Sequence, residues 1–416
     1  MLANLYKLIL AILLLFIFNE AAMAQNRNLD YYLEAGLANS PVIRDYQNQV
    51  MSGMIDSQRL RANFKPQVTA TSNNSISPII GGYGYDVALS NQQSFNELIN
   101  VNQAIIGKNN INAQYKSIRY INDSTRNGQR LIEQDLRRNI IAQYITAYGD
   151  LQQLNFNIEV NNILRNQEVI LKKLTQNNIY RQTDYLTFLV TMKQQELQMK
   201  QLHIQYRNDY ATLNYLCGIF DTTSATIDAP DIKLRYLYDP SSSAFFLRYK
   251  IDSIRLANEI AVIKYTYRPK LSAFVNAGYS STLLYQAYKN FGTGMGINLT
   301  VPIYDGHQRS LQERKIHLLE NTSQNYKDFF NRQYAQQMAM LKQQLAATES
   351  LLADINEQIK FSEGLINVNG KLLETGDTKI VDFVIAINNF LTAKNLLTQN
   401  NVSRLQIINQ LNYWNQ

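Results

Sequence analysis

Phe64-Lys65-Pro66-Gln67-Val68-Thr69-Ala70 comes back later as Tyr267-Arg268-Pro269-Lys270-Leu271-Ser272-Ala273. The interval is about 200 residues, far longer than any solenoid period. Two more pairs keep nearly the same spacing. Ile105-Ile106-Gly107 corresponds to Tyr304-Asp305-Gly306, and Thr183-Asp184-Tyr185-Leu186 to Val381-Asp382-Phe383-Val384. One plan is therefore used twice, in residues 25–220 and 244–416. The Asp-, Thr-, Ser- and Pro-rich stretch 221–243 reads as a linker between the halves.

Each half reads as helix, two strands, very long helix, turn, long helix. Pro66 and Pro269 end the opening helices, because proline drives its predecessor out of the helical region. Beyond them the period falls from about 3.6 to 2, which predicts strands over residues 66–80, 95–106, 270–284 and 291–303. Leu271, Ala273, Val275, Ala277 and Tyr279 share one face, with Phe274 as a misfit on the other. Thr293, Met295, Ile297, Leu299, Val301 and Ile303 alternate with Gly292, Gly294, Gly296, Asn298 and Thr300. Ile99, Val101 and Ile105 alternate with Asn100, Asn102 and Ala104, while residues 67–80 carry few large apolar side chains. A membrane barrel with an apolar outside and a small or polar inside fits this pattern, as does a soluble sheet with one buried face. Tyr279, Tyr285, Tyr288 and Phe291 cluster near the strand ends, where an aromatic girdle would lie.

Long helices are predicted over 108–176 and 180–217, then over 307–375 and 379–412. Between Lys108 and Thr175 there is no proline, and the only glycines are Gly128 and Gly149. Such a helix is roughly 100 Å long, against about a dozen residues for an average globular helix. The series Tyr185, Leu189, Met192, Glu196, Met199, His203, Tyr206, Tyr210, Leu213, Cys217 alternates steps of four and three, the mark of supercoiled helices. Leu186, Val190 and Leu197 suggest a second seam, so the helix packs on two sides.

Lys7 followed by the apolar run Leu8–Phe18 and by Ala22-Met23-Ala24 reads as a secretory signal over residues 1–24. Past it, no uninterrupted apolar run approaches the length of a membrane-spanning helix, so any insertion into lipid is expected to use strands. A single cysteine, Cys217, excludes an internal disulfide and reads as a small core residue on a seam. Net charge is +7 with a pI near 9.1, but Lys and Arg are spread among Glu, Asp and Gln with no basic block, which argues against nucleic acid. His203, His307 and His317 lie far apart or lack carboxylate and cysteine companions, so no metal is expected. Gly292-Thr293-Gly294-Met295-Gly296 lacks the spacing of a nucleotide loop and leads into a strand. No Ser–His–Asp or paired-carboxylate set with catalytic spacing occurs, so neither catalysis nor a cofactor is expected.

Three stretches carry a family likeness. Leu29, Leu33-Glu34-Ala35, Leu37, Asn39 and Pro41 resemble the opening helix of the TolC-like outer-membrane efflux proteins. Leu299 with Pro302-Ile303-Tyr304-Asp305-Gly306 looks like that family's strand-to-helix junction, and Gly376-Asp377-Thr378-Lys379-Ile380-Val381-Asp382-Phe383 like its helical tip. The resemblance implies an α+β membrane protein built as a homotrimer. Four strands per chain would form a shared twelve-stranded barrel in outer-membrane lipid, continued by a periplasmic α-helical barrel. It further implies a passive conduit for efflux or type I secretion that docks with a periplasmic adaptor and an inner-membrane pump. Asp382 and Asp184 would line the periplasmic gate. Asn178, Tyr180, Arg181, Thr375, Gly376 and Lys379 would form the adaptor-docking tip, with Asn178 and Gly376 supplying the left-handed turn residues. Where the family often carries a second aspartate one turn on, this chain has Ile385, which argues against a gate of two charged rings. Two rival readings are an exported coiled-coil structural or adhesion protein without a pore, and a periplasmic enzyme with a helical domain.

Overall fold

The computed structural model describes residues 27–87, 91–221, 223, 225–235, 243–282 and 287–415. The expected signal segment 1–24, Tyr285 of the expected girdle, residues 283–284 of the third expected strand and part of the linker lie outside the described residues. In chain order the elements are α1 (Leu29–Asn39), α2 (Pro41–Asn63), β1 (Gln67–Ile76), β2 (Gln93–Ile105), α3 (Lys108–Gln176), α4 (Gln182–Leu216), α5 (Ala244–Thr266), β3 (Lys270–Ser281), β4 (Phe291–Thr300), α6 (Gln308–Thr375) and α7 (Ile380–Trp414). They divide into two compact units.

The sheet unit comprises Arg44–Leu131 and Ser241–Arg332. Its four strands are antiparallel in the order β1-β2-β3-β4. Val101 pairs with both Val68 and Val275, and Val275 with Met295, so one face collects Val68, Ile99, Val101, Leu271, Val275, Met295, Ile297 and Leu299. That face is uncovered: Met295 is 85% and Ile297 70% exposed. The opposite face holds Thr71, Asn96, Asn100, Asn276 and Ser280, two pairs of which bond across strands. Asn100 Nδ2 donates to Thr71 Oγ1 at 2.9 Å, and Ser280 Oγ to Asn96 Oδ1 at 2.6 Å. The misfit Phe274 has a local reason. It pairs with Gly296, and its ring fills the space a side chain there would take, with ring carbons 2.7 Å from an ideal Cβ position.

Two strand ends differ from expectation because of proline. β1 stops at Ile76 rather than residue 80, since Pro78 has no N–H for the ladder and the positive-φ pair Gly81-Gly82 turns the chain. β4 stops at Thr300 rather than 303, just before Pro302. The opening helix is likewise two helices. Ser40 is extended, and Pro41 takes the first position of α2, where its missing N–H costs nothing. α6 starts one residue late because His307 adopts φ 65°; Asp305 accepts the backbone N–H of His307 at 2.9 Å and of Arg309 at 3.1 Å.

The helical unit comprises Met1–Ile43, Ile132–Pro240 and Gln333–Gln416, of which the described residues form two cores. One gathers Leu164, Leu171, Phe188, Leu373, Ile380 and Phe383 from α3, α4, α6 and α7. The other gathers Tyr32, Ile140, Tyr144, Tyr210, Leu213 and Cys217. The described part of the linker is irregular and tied down. The Tyr144 hydroxyl donates to the Asp228 carbonyl at 2.7 Å, and Asn412 accepts from Arg235 N at 2.7 Å while donating to the Lys233 carbonyl at 2.8 Å.

The seam of α4 is offset from the one read in the sequence. Met192, Tyr206, Tyr210, Leu213 and Cys217 are buried as expected, and Tyr185 and Leu189 pack half-buried against the core, but Phe188, Gln195 and Leu202 are buried while Glu196 and His203 are not. Glu196 instead pairs with Lys193 at 2.8 Å and Arg165 at 3.5 Å. The expected second seam is exposed: Leu186, Val190 and Leu197 stand in the open with Ile204. α6 carries a matching uncovered stripe of Phe361, Leu365, Val368 and Leu372. α7 has the length and composition of a membrane span, yet Phe383, Ala386, Ile387 and Phe390 are buried among the other helices, as a core helix requires.

Candidate functional site

Two helix-to-helix turns of the helical unit carry most of the candidate residues. α3 ends in a Schellman motif. Asn178 adopts φ 59°, its N–H donates to the Thr175 carbonyl at 3.1 Å, and Ile179 N donates to the Leu174 carbonyl at 3.0 Å. α6 ends the same way. Gly376 adopts φ 83° and donates to the Leu373 carbonyl at 3.4 Å, while Asp377 N donates to the Leu372 carbonyl at 2.9 Å. Glycine and asparagine are the residues that accept this conformation at least cost.

The turns are joined to each other. A Cβ at Gly376 would lie 2.9 Å from Ile179 Cγ2. The Tyr180 hydroxyl lies 3.0 Å from the Leu373 carbonyl oxygen and 2.9 Å from that of Thr378. Burial first, and then the Asp377 carboxylate, raise its pKa and keep it a donor. Thr375 Oγ1 reaches Asp377 Oδ2 at 2.6 Å. Arg181 and Lys379 are the extended residues preceding α4 and α7, and neither side chain caps its helix. Asn178, Arg181, Thr375 and Lys379 are exposed, whereas Tyr180 and Gly376 are half-buried within the joint. The packing of Ile179 on Gly376 and the bonds of Tyr180 carry no local signal, because nothing nearby in the chain marks a residue that meets a second turn some 200 residues away.

Replacing Gly376 with alanine combines an unfavourable φ with crowding against Ile179. Loss of about 1–2 kcal/mol is expected, read as a lower denaturant midpoint. Asn178→Gly should be near neutral. Equal stability of Gly376→Ala and the parent chain would refute the left-handed turn.

Asp184 and Asp382 hold equivalent places, each the third residue of its helix, where the carboxylate meets the positive end of the helix dipole. Asp382 is exposed and Asp184 half-buried. Ile385, one turn past Asp382, is half exposed, with exposed Val381 beside it.

Other polar candidates do not converge. His203 is exposed, and His317 pairs with Glu320 on the same helix at 2.9 Å. Cys217 is fully buried, and burial pushes its thiol up to about 12, far from a nucleophile's range. Among the described residues no three His, Cys, Asp or Glu side chains meet in a metal-binding group.

No protein-family model matches this sequence, and no curated protein matches it. Solved structures match at the level of fold. CusC, solved in a study of folding and transmembrane channel formation, is 10% identical with a TM-score of 0.77, covering 94% of this chain and 92% of its own. The outer-membrane channel OprN is 12% identical with a TM-score of 0.75, covering 93% and 89%. The outer-membrane protein VceC from Vibrio cholerae is 11% identical with a TM-score of 0.75, covering 93% and 96%. Over nearly its whole length, this chain has the fold of the TolC-like outer-membrane efflux channels.

Proposed function

We propose that three copies of this chain form an outer-membrane channel, the passive exit conduit of a tripartite efflux or type I secretion system. One observation carries the reading: an open sheet with an uncovered apolar face and two unpaired edges, β1 and β4. In lipid an unpaired edge leaves several N–H and C=O groups without partners, each costing several kcal/mol, so spanning sheets must close. Four strands are too few to close, and copies joined edge to edge supply the rest. The uncovered stripes on α4 and α6 support the same assembly, because heptad-spaced apolar residues seek a partner helix. Asn178, Tyr180, Arg181, Thr375, Gly376 and Lys379 form the tip that meets a periplasmic adaptor, itself bound to an inner-membrane pump. Asp382 and Asp184 line the gate, with Ile385 as an apolar constriction in place of a second acidic ring.

Detergent-solubilised protein should behave as a trimer and conduct ions in planar bilayers. A water-soluble monomer that needs no detergent would refute the channel and favour the exported coiled-coil scaffold. Asp382→Ala should lower cation preference, because a ring of like carboxylates attracts cations. Unchanged conductance together with unchanged adaptor retention would remove Asp382 from the gate.

A further inference from the structure

α3 and α4 are linked by a reciprocal pair of amide–carboxyl bonds. Gln205 Nε2 of α4 donates to Asp150 Oδ1 of α3 at 2.9 Å. Gln143 Nε2 of α3 lies 3.0 Å from the Asp209 carbonyl oxygen and 3.1 Å from Asp209 Oδ1 on α4. Each helix therefore contributes one amide and one carboxyl. Asp150 is only 6% exposed, and its second oxygen, Oδ2, is buried with no hydrogen-bond donor. The carboxyl that acts on it belongs to Asp209, which Gln143 ties back to α3.

A buried carboxyl facing a second, half-buried carboxyl favours its protonated form. A proton held on Asp150 removes the repulsion and lets Oδ2 act as a donor. Among the described residues no cationic side chain is among the groups that act on Asp150. On α4 the facing groups are Asp209 and Gln205, and the neighbouring Tyr206 hydroxyl is spent on the Ala225 carbonyl. α7 approaches this turn of α3 through Val402, which lies over Gly149. The nearby Arg404 of α7 pairs with Glu349 of α6 at 3.6 Å.

We propose that Asp150 keeps its carboxyl proton against Asp209 and acts as a pH-sensitive clasp between α3 and α4. Burial first, and then the neighbouring Asp209, push the Asp150 carboxyl up to about 7. The folded chain thus keeps a proton that the opened chain releases near the ordinary aspartate value. The clasp is fully stabilising below that ordinary value, and its contribution is lost as pH rises through about 7. This inference concerns α3 and α4 alone and does not rest on the channel reading.

An infrared pH titration of the purified full-length protein tests it directly. A protonated-carboxyl band should persist toward neutral pH and vanish in Asp150→Asn. Amide hydrogen exchange, corrected for intrinsic rate, supplies a second readout. Opening of α3 and α4 around the pair should increase up to about tenfold per pH unit between about 5 and 7. Asp150→Asn and Asp209→Asn should flatten that slope. An unchanged slope in both variants, or a parent chain with no protonated carboxyl at pH 5, would overturn the clasp. If neither variant folds, the band in the parent protein decides alone. Neither measurement reads conductance, so its failure leaves the channel proposal standing.

Discussion

Val275→Arg is expected to abolish insertion into the outer membrane while Asn276→Arg, one residue away, is tolerated. Val275 sits mid-strand on β3, paired with Val101 on one side and Met295 on the other. Its face is apolar and exposed, so nothing in the chain itself explains its chemistry. An arginine near the middle of a lipid-facing band costs about 2–4 kcal/mol per chain, and a trimer would bear it three times. Asn276 belongs to the opposite face, between Asn100 and Gly294, where a polar group meets water in a channel. Fractionation and heat-modifiable mobility on gels measure both outcomes. A soluble sheet that buries its apolar face would show the same division as lost folding, with neither variant nor parent in the membrane fraction. Equal tolerance of the two substitutions would count against a lipid-facing surface.

Phe383→Ala is expected to destabilise the helical unit by about 3–5 kcal/mol, the cost of emptying a fully buried aromatic site. Phe383 has no exposed surface and shares its core with Leu171, Phe188, Leu373 and Ile380, drawn from all four long helices. Gly370 sits against its ring, where a Cβ would lie 3.8 Å from Phe383 Cε2. The surrounding helices have little room to collapse, because each is held by its own hydrogen-bond ladder. Phe383→Leu should recover most of the loss. Thermal or denaturant unfolding of the detergent-solubilised protein checks this. A midpoint unchanged by the alanine variant would mean that this core does not hold the bundle. The adjacent Asp382→Ala is expected to leave stability nearly intact, since Asp382 is exposed and Phe383 is not.

Much of the architecture is readable in local pattern. Pro66 and Pro269 mark where helix gives way to strand, because proline acts on its immediate predecessor. Alternation along residues 291–299 states which side chains share a face before any partner strand is known. Asn178 and Gly376 announce the left-handed turns, because few other residues accept that conformation cheaply. The seam of α4 is less legible. A strict heptad places Glu196 and His203 inside, yet the helix buries Gln195 and Leu202. Adjacent positions differ by only 100° around the helix, so the approach of α3 and α7 decides between them.

The amino-acid order alone thus determined the kind of most elements and the residues at the helical turns, because backbone period and conformational preference act over a few neighbouring residues. The tertiary structure decided the pairing of β2 with β3, the position of Phe274 over Gly296, the bonds of Tyr180 across two turns and the meeting of Asp150 with Asp209. Those contacts join residues far apart in the chain. Their geometry depends on how whole helices and strands pack, and no local preference encodes that.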